Sequence, residues 1–329
     1  MTGDLTIYDI ARAAGTSPRT VSRFFNHPEL LASCTRERIA RLVEGSGFRP
    51  SEIASRLSNR GQGAVAVMAW VGQGPPSELH QHLLGLVAAD LARRGRDLLL
   101  IGLTDGNLAT AITQHLERRK LESALLLNRL PEAVQDALAA AGVPTVSLNW
   151  QPECGLRRNR YVGIDYYESM RSFAMLLLGA GHRRLAWIGG SGTDDRRRQA
   201  LRDVTAAAGR PLLAVEPADD AAGWDDRLQR ILGDGATLAV CWCDVAALSL
   251  LAAARRAGVA VPDRLAITGF DGIAAGELVH PTLTTVVQPW AAMATHAAAI
   301  LAGEDPGHQN HLLATSPRWG GTCTDAPAG

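Results

Sequence analysis

Arg19 and Arg23 are the first side chains in this sequence whose type and spacing carry chemistry. On a helix that separation puts both guanidinium forks on one face, where each can grip a guanine edge or a phosphate. Thr20, Ser22 and Asn26 add polar donors to the outward side of the same segment. The helix that must hold them, Pro18 to Asn26, opens well. Ser17 can accept from a first-turn amide, and Pro18 loses nothing by lacking an N–H at the first helical position. A short amphipathic helix from Tyr8 to Ala14 and a Gly15-Thr16-Ser17 turn precede it, so the pair reads as a helix-turn-helix. Ile10, Ala14, Val21 and Phe24 supply its apolar seam. A third helix, Arg36 to Val43, is introduced by Ser33 or Thr35 and stopped by Gly45-Ser46-Gly47. A plain helical bundle with a solvated face would explain the second helix alone.

Composition narrows the remaining classes. At 329 residues and 47% apolar, the chain suits a head of about 60 residues followed by a core of two subdomains. Net charge is zero overall, yet residues 1–60 hold 9 arginines against 6 acidic side chains, a balance of +3 that leaves −3 elsewhere. A basic head on a slightly acidic body fits phosphate binding by the head alone. The five cysteines are scattered, and Cys241 and Cys243, with one Trp between them, match no zinc template. They read as reduced thiols of a cytoplasmic protein, with no metal and no cofactor expected. Asp4 and the polar start give no signal peptide, and no apolar run approaches the roughly 18–20 residues that span a bilayer. Gly189 to Arg198 lacks both the Lys-Ser/Thr ending of a phosphate loop and the spacing of a dinucleotide fingerprint. No Ser/His/Asp order or paired carboxylates mark an active site, which argues against an enzyme.

From Ala64 the pattern alternates strand and helix. Apolar runs at Ala64–Val71, Asp97–Leu103, Ser123–Leu127, Val143–Leu148, Arg184–Ile188, Leu212–Val215, Leu238–Cys241, Leu265–Gly269 and Leu283–Val287 read as buried strands. Helices are expected between them, at Leu79–Arg94, Thr110–Arg119, Glu132–Ala141, Glu168–Gly179, Gln199–Ala208, Asp225–Leu232 and Val245–Ala257. Fully apolar strands separated by helices signal parallel sheets covered on both faces. Two such lobes in sequence create a cleft at their strand carboxyl ends.

The segments Thr6-Ile7-Tyr8-Asp9-Ile10-Ala11, Ala14-Gly15-Thr16-Ser17, Thr20-Val21-Ser22-Arg23, Asn26, Thr35-Arg36-Glu37-Arg38-Ile39, Gly47-Phe48, Pro50, Ala54 and Leu57 resemble the head and hinge of the LacI/GalR family of bacterial transcription regulators. Gly181 to Ala186, Val261 to Gly272 and His280 to Val286 are similar to the family's periplasmic-binding-protein-like core. The likeness covers about residues 5–318, dense in the head and patchy in the body. Ser22-Arg23-Phe24-Phe25 before Pro28-Glu29, with Ala266 to Gly272, most resembles the gluconate-type repressors within the family.

This resemblance implies an all-α helix-turn-helix head (residues 1–47), a hinge helix and linker (48–60), and a core (61–329) of two doubly wound parallel-sheet subdomains. The first spans about 61–160 plus 288–318, the second about 161–287. It implies base contacts from Pro18, Arg19 and Arg23, and phosphate contacts from Thr6, Tyr8, Ser17, Ser22 and Asn26. Ala54 and Leu57 fall at the minor groove, where a Leu from each of two chains wedges a base step open. The serine that usually begins the third helix falls on Ala32, so a cap shifted to Ser33 is expected. The implied function is a cytoplasmic, nucleoid-associated homodimer that represses genes of carbohydrate or sugar-acid metabolism from a palindromic operator, without membrane contact. A small effector, a sugar or sugar acid, is expected in the cleft. By position the resemblance points to Asn149, Asp244, Asp271 and Trp290 for that effector, with Trp242 at the rim. Each has a plainer reading: Asp271 as a helix cap, Trp290 and Trp242 as packing, Asn149 as a turn residue, Asp244 as the cap of the helix at Val245. Counted back from Gly209, the family's ligand-binding arginine position falls on Asp195 and a second arginine position on Arg197, unless a deletion in the glycine loop shifts the register; Arg197 and then Arg196 are the expected ligand contacts, with a solvated helix start as the alternative for both. A regulator answering to a protein corepressor and a sugar-handling enzyme fused to a DNA-binding head are the competing readings.

Overall fold

The computed structural model describes residues 6–26, 28–46, 64–70, 78–104, 106–107, 110, 121–127, 130–149, 159–189, 196–216, 220–305, 307 and 309–324. The chain divides into two compact units, Met1–Ala64 and Val65–Gly329. The expected hinge, with Ala54 and Leu57, lies outside the described residues, as does nearly all of the helix expected at 110–119.

In the first unit, α1 (Ile7–Ala13), α2 (Pro18–Asn26) and α3 (Ser33–Ser46) surround Ile10, Ala11, Ala14, Val21 and Ile39, with Phe24 and Phe25 packed at the edge. Thr6 and Asp9 form a reciprocal capping box on α1: the Thr6 amide donates to Asp9 Oδ2 at 2.9 Å, and the Asp9 amide donates to Thr6 Oγ1 at 3.4 Å. Two orphan donors at that terminus are thereby satisfied. The Thr20 amide donates to Ser17 Oγ at 3.2 Å, so Ser17 caps α2 as its position suggested. The cap of α3 is not shifted. The Ala32 carbonyl accepts from the Thr35 and Arg36 amides, each at 3.0 Å, and an alanine therefore stands where a capping side chain would help. Nor does Gly45 stop the helix, which runs on to Ser46.

The second unit contains two six-stranded sheets. The first has the order β11-β5-β4-β3-β1-β2, built from β1 (Ala64–Trp70), β2 (Asp97–Leu103), β3 (Ala124–Leu126), β4 (Thr145–Leu148), β5 (Asn159–Ile164) and β11 (His311–Leu313). The second has the order β12-β10-β9-β8-β6-β7, from β6 (Leu185–Ile188), β7 (Leu212–Val215), β8 (Leu238–Cys241), β9 (Ala266–Asp271), β10 (Thr284–Val287) and β12 (Ser316–Arg318). Each repeats one doubly wound order, second-first-third-fourth-fifth, and then accepts a strand from the end of the chain. Such an order reverses direction beside its first strand, and ligands collect at that switch.

Helices α4 (Glu78–Arg93), α5 (Glu132–Ala140), α6 (Tyr166–Gly179), α7 (Arg196–Ala207), α8 (Ala221–Gly233), α9 (Asp244–Arg256), α10 (Ala275–Leu278) and α11 (Trp290–Leu301) connect the strands. Two of these cross between sheets, α6 from β5 to β6 and α11 from β10 towards β11. Because Phe173, Met293 and Ala297 of the crossovers pack with Leu125 and Leu148 of one sheet and Trp187 and Phe270 of the other, both lobes share one apolar cluster. Arg160 ties the late strand in place: its Nη2 donates to Asp305 Oδ2 at 2.7 Å and its Nη1 to the Asp305 carbonyl at 2.8 Å.

Two boundaries differ from expectation. β5 runs through residue 160, and Ser316–Arg318, expected in the first subdomain, pairs antiparallel with β10 in the second sheet. Among the described residues no helix is long and apolar enough to cross a membrane, and no group of three metal-ligating side chains forms.

Candidate functional site

On the head, α2 leaves Arg19 and Arg23 exposed while Val21 between them is fully buried. A helix so divided has its apolar side used up in the core and its arginine side available to a partner. Tyr8 stands 66% exposed on α1, and Pro18 and Ser22 are half-buried. Thr6 and Ser17, expected at phosphates, also hold the caps of α1 and α2. Asn26 closes α2, and nothing further of it is described.

The second cluster forms where β4, β8, β9 and β10 end. Asp271 is the last residue of β9, 8% exposed, with φ at 129°, in a region that favours glycine. Gln288, following β10, donates its Nε2 to Asp271 Oδ1 at 2.8 Å. The Trp290 indole donates to the Asp271 carbonyl at 2.9 Å, which uses that ring as an anchor packed in the core and not as an open stacking face. Burial pushes the Asp271 carboxyl up to about 7, the Arg197 guanidinium opposing and the Asp244 carboxylate adding to the rise.

Arg197, on the first turn of α7, reaches into this cluster. Its Nη1 donates to the Trp242 carbonyl at 2.7 Å, and its guanidinium carbon lies 5.0 Å from the Tyr166 ring centre, 5.3 Å from Phe270 and 5.5 Å from Trp242. Three aromatic faces around one cation are each worth about 0.5–2 kcal/mol. Arg196 is exposed and lies over Tyr167, away from these groups, so the structure brings Arg197 into the cluster and leaves Arg196 outside it. Trp242 is 38% exposed and its amide donates to the Ile188 carbonyl at 2.8 Å, closing the step from β6 to β8.

Asn149 follows β4 at φ 59°, a turn conformation, and its carbonyl accepts from the Tyr166 phenol at 3.3 Å. Burial raises the Tyr166 phenol well above its ordinary range, with Arg197 opposing. Asn149 Oδ1 and Gln288 Oε1 are both buried without a hydrogen-bond partner, a costly condition in a finished core.

Asp244 does not face this site, and its position overturns both readings of it. Fully buried, it accepts at Oδ2 from the Gly272 and Ile273 amides, each at 2.8 Å, and at Oδ1 from the Thr285 hydroxyl. The cap of α9 is Cys243, whose sulfur accepts from the Ala246 amide at 3.5 Å. Asp244 instead fixes the turn after β9 that aims Asp271. Burial holds the Cys243 thiol up at about 11, so it stays neutral. Sequence reasoning missed Tyr166, Phe270 and Gln288. Gln288 had a signal, a lone amide between an apolar strand and Pro289, while nothing in the types or spacing of Tyr166 and Phe270 sets them apart from other aromatic residues.

Residues 6–51 match the bacterial regulatory proteins of the lacI family, and residues 174–323 match a periplasmic binding protein-like domain. Among curated relatives, the transcriptional regulator DegA of Bacillus subtilis is 26% identical over 86% of both chains. AscG of Escherichia coli is 29% identical over 86% of this chain and 87% of its own. Among solved structures, the lac repressor dimer bound to operator and an anti-inducer superposes with a TM-score of 0.76 at 19% identity, covering 97% of this chain and 99% of that one. A CelR–cellobiose complex does so at 0.68 and 23%, covering 97% and 100%.

An arginine-bearing helix-turn-helix before a doubly wound core defines a class, the DNA-binding transcription regulator, and the curated relatives are regulators and not enzymes. The chain belongs to the lacI family of bacterial regulatory proteins.

Proposed function

We propose that this regulator is a repressor that binds an inverted-repeat operator as a homodimer and is switched by a sugar or sugar acid in the cleft of its body. Each α2 enters a major groove, with Arg19, Arg23 and Pro18 reading base edges and Thr6, Tyr8, Ser17, Ser22 and Asn26 setting the register on phosphates. Ala54 and Leu57 from both chains meet at the central minor groove. Residues 1–47 act as head, 48–60 as hinge and 61–329 as sensor, in the cytoplasm and on the nucleoid.

The observation that carries this reading is the cluster of Asn149, Tyr166, Arg197, Asp271 and Gln288 at the strand ends of both sheets, in which Tyr166 bonds the Asn149 carbonyl, Gln288 bonds Asp271 and Arg197 lies over the Tyr166 ring. A ligand seated there touches both lobes, and any change in their angle changes the spacing of two heads. Asp271, Asn149 and Arg197 take its polar groups, and Trp242 covers its C–H face. Trp290 and Asp244 support the site without touching the ligand. Titrating candidate sugars against a fluorescent operator complex tests this. An effector shifts operator affinity at least tenfold in the native chain and not in Asp271→Ala, whereas an unchanged response in that variant removes Asp271 from the site.

A further inference from the structure

We propose that the effector carries a protonated amine on a hydroxylated ring, as an amino sugar does, and that the cleft turns away the corresponding sugar acid. This rests on the reading of the cleft as the effector site and commits it to one ligand charge.

The Asp271 carboxyl is nearly withdrawn from water, and among the described residues it makes no ion pair; its Oδ1 receives the Gln288 amide, and a backbone amide at Asp244 reaches it as well. Arg197 opposes the rise of that carboxyl without overcoming burial, so the group keeps its proton up to about 7 and ionises below that only beside a further positive charge. Beside it two further acceptors have no partner, Gln288 Oε1 and Asn149 Oδ1. The orientation of the Gln288 amide is fixed chemically, because its nitrogen must face the carboxylate and its oxygen is therefore left over.

The described groups facing Asp271 are Arg197 from α7, Tyr166 from α6, Cys243 and Asp244 at the start of α9, and Gln288 after β10. Arg197 is the one cation among them, and it is engaged with the Trp242 carbonyl and three aromatic rings. A ligand carboxylate would have to draw that guanidinium out of its aromatic surroundings while approaching Asp271. A ligand ammonium meets the opposite situation. It supplies the missing charge to Asp271, donates to the orphaned amide oxygens, and sits close to aromatic faces already arranged around one cation.

The test is a matched series, glucosamine, galactosamine and mannosamine, each beside its neutral parent hexose and the corresponding aldonic acid. Calorimetry measures binding to the full chain, and anisotropy measures release or tightening on operator. We expect at least one amine to bind at least tenfold more tightly than its parent, with its acid weaker still. Asp271→Asn should weaken the neutral parent as well, because Asp271 contacts the ligand, but it should cost the amine at least tenfold more than the parent and so remove the amine's advantage. Amine affinity should rise as pH climbs towards 7, where Asp271 ionises, and fall again once the ligand's own ammonium loses its proton, whereas an acid's should fall as Asp271 ionises. Preference for a neutral hexose or an acid, or a preference that survives Asp271→Asn, overturns this proposal and leaves the effector reading standing. If no compound in the series binds or alters operator affinity, the proposal falls, and the effector reading loses its support with it.

Discussion

Asp271 concentrates the physical conflict of this molecule in one residue. Its carboxyl titrates at about 7 in the fold against 3.8 as a free side chain. Between those values the folded chain holds a proton that the unfolded chain has released, so stability falls as pH rises through this window and levels off above 7. Asp271→Asn keeps the shape and removes that residue's share of the slope. At pH 8 the variant's body should be about 2–4 kcal/mol more stable than the native one, read from denaturant melts at pH 5 and pH 8. Equal stability at both pH values in the two proteins would contradict this. Burial raises the Asp244 carboxyl too, but there two amides and a hydroxyl donate to its two oxygens in the core and oppose the rise. Asp244→Ala should cost about 3 kcal/mol or more, and a loss below about 1 kcal/mol would mean that those donors find water. The resemblance set the two aspartates side by side as ligand contacts, and position alone could not divide them. Which carboxylate faces the cleft depends on the φ of Asp271 and on the turn at Gly272 and Ile273, and neither is written in residue type. Arg197 was separable from Arg196 only once Tyr166 and Phe270 stood beside it.

At the level of elements, the sequence was most legible where periodicity and caps agree. α2 and its Ser17 cap came out as expected, as did β2, β7 and β8 with their ends. What stayed hidden has definite causes. α11 is Trp-Ala-Ala-Met-Ala-Thr-His-Ala-Ala-Ala-Ile-Leu, apolar almost all round because it is packed by strands and α4, so it shows no stripe. β11 and β12 are three residues each and hold their places through neighbours such as Arg160 and Val286. The capping box of α1 gives an element-level prediction. Thr6→Ala should cost the head about 1 kcal/mol, seen as faster amide exchange at Asp9 and Ile10, and unchanged protection would show that the box contributes nothing. On α2, Arg23→Ala should lower preference for operator over scrambled duplex by about 1–3 kcal/mol, and an unchanged ratio would place Arg23 on phosphate.

For the whole molecule, the account joins a basic head to a body whose two sheets meet at one polar cluster. Neither half explains the other alone. The head supplies groove-reading chemistry but no switch, and the body supplies a ligand site but no output. Their coupling requires two copies, because only the separation of paired heads converts a change within the body into a change in operator affinity.

Selection of duplexes from a random pool by the full chain, with stoichiometry measured on the winning sequence, examines that coupling most directly. The account predicts an enriched inverted repeat bound by two chains, with enrichment lost in Arg19→Ala/Arg23→Ala. Enrichment of no inverted repeat, or binding of the same sequence by a single chain, would contradict it.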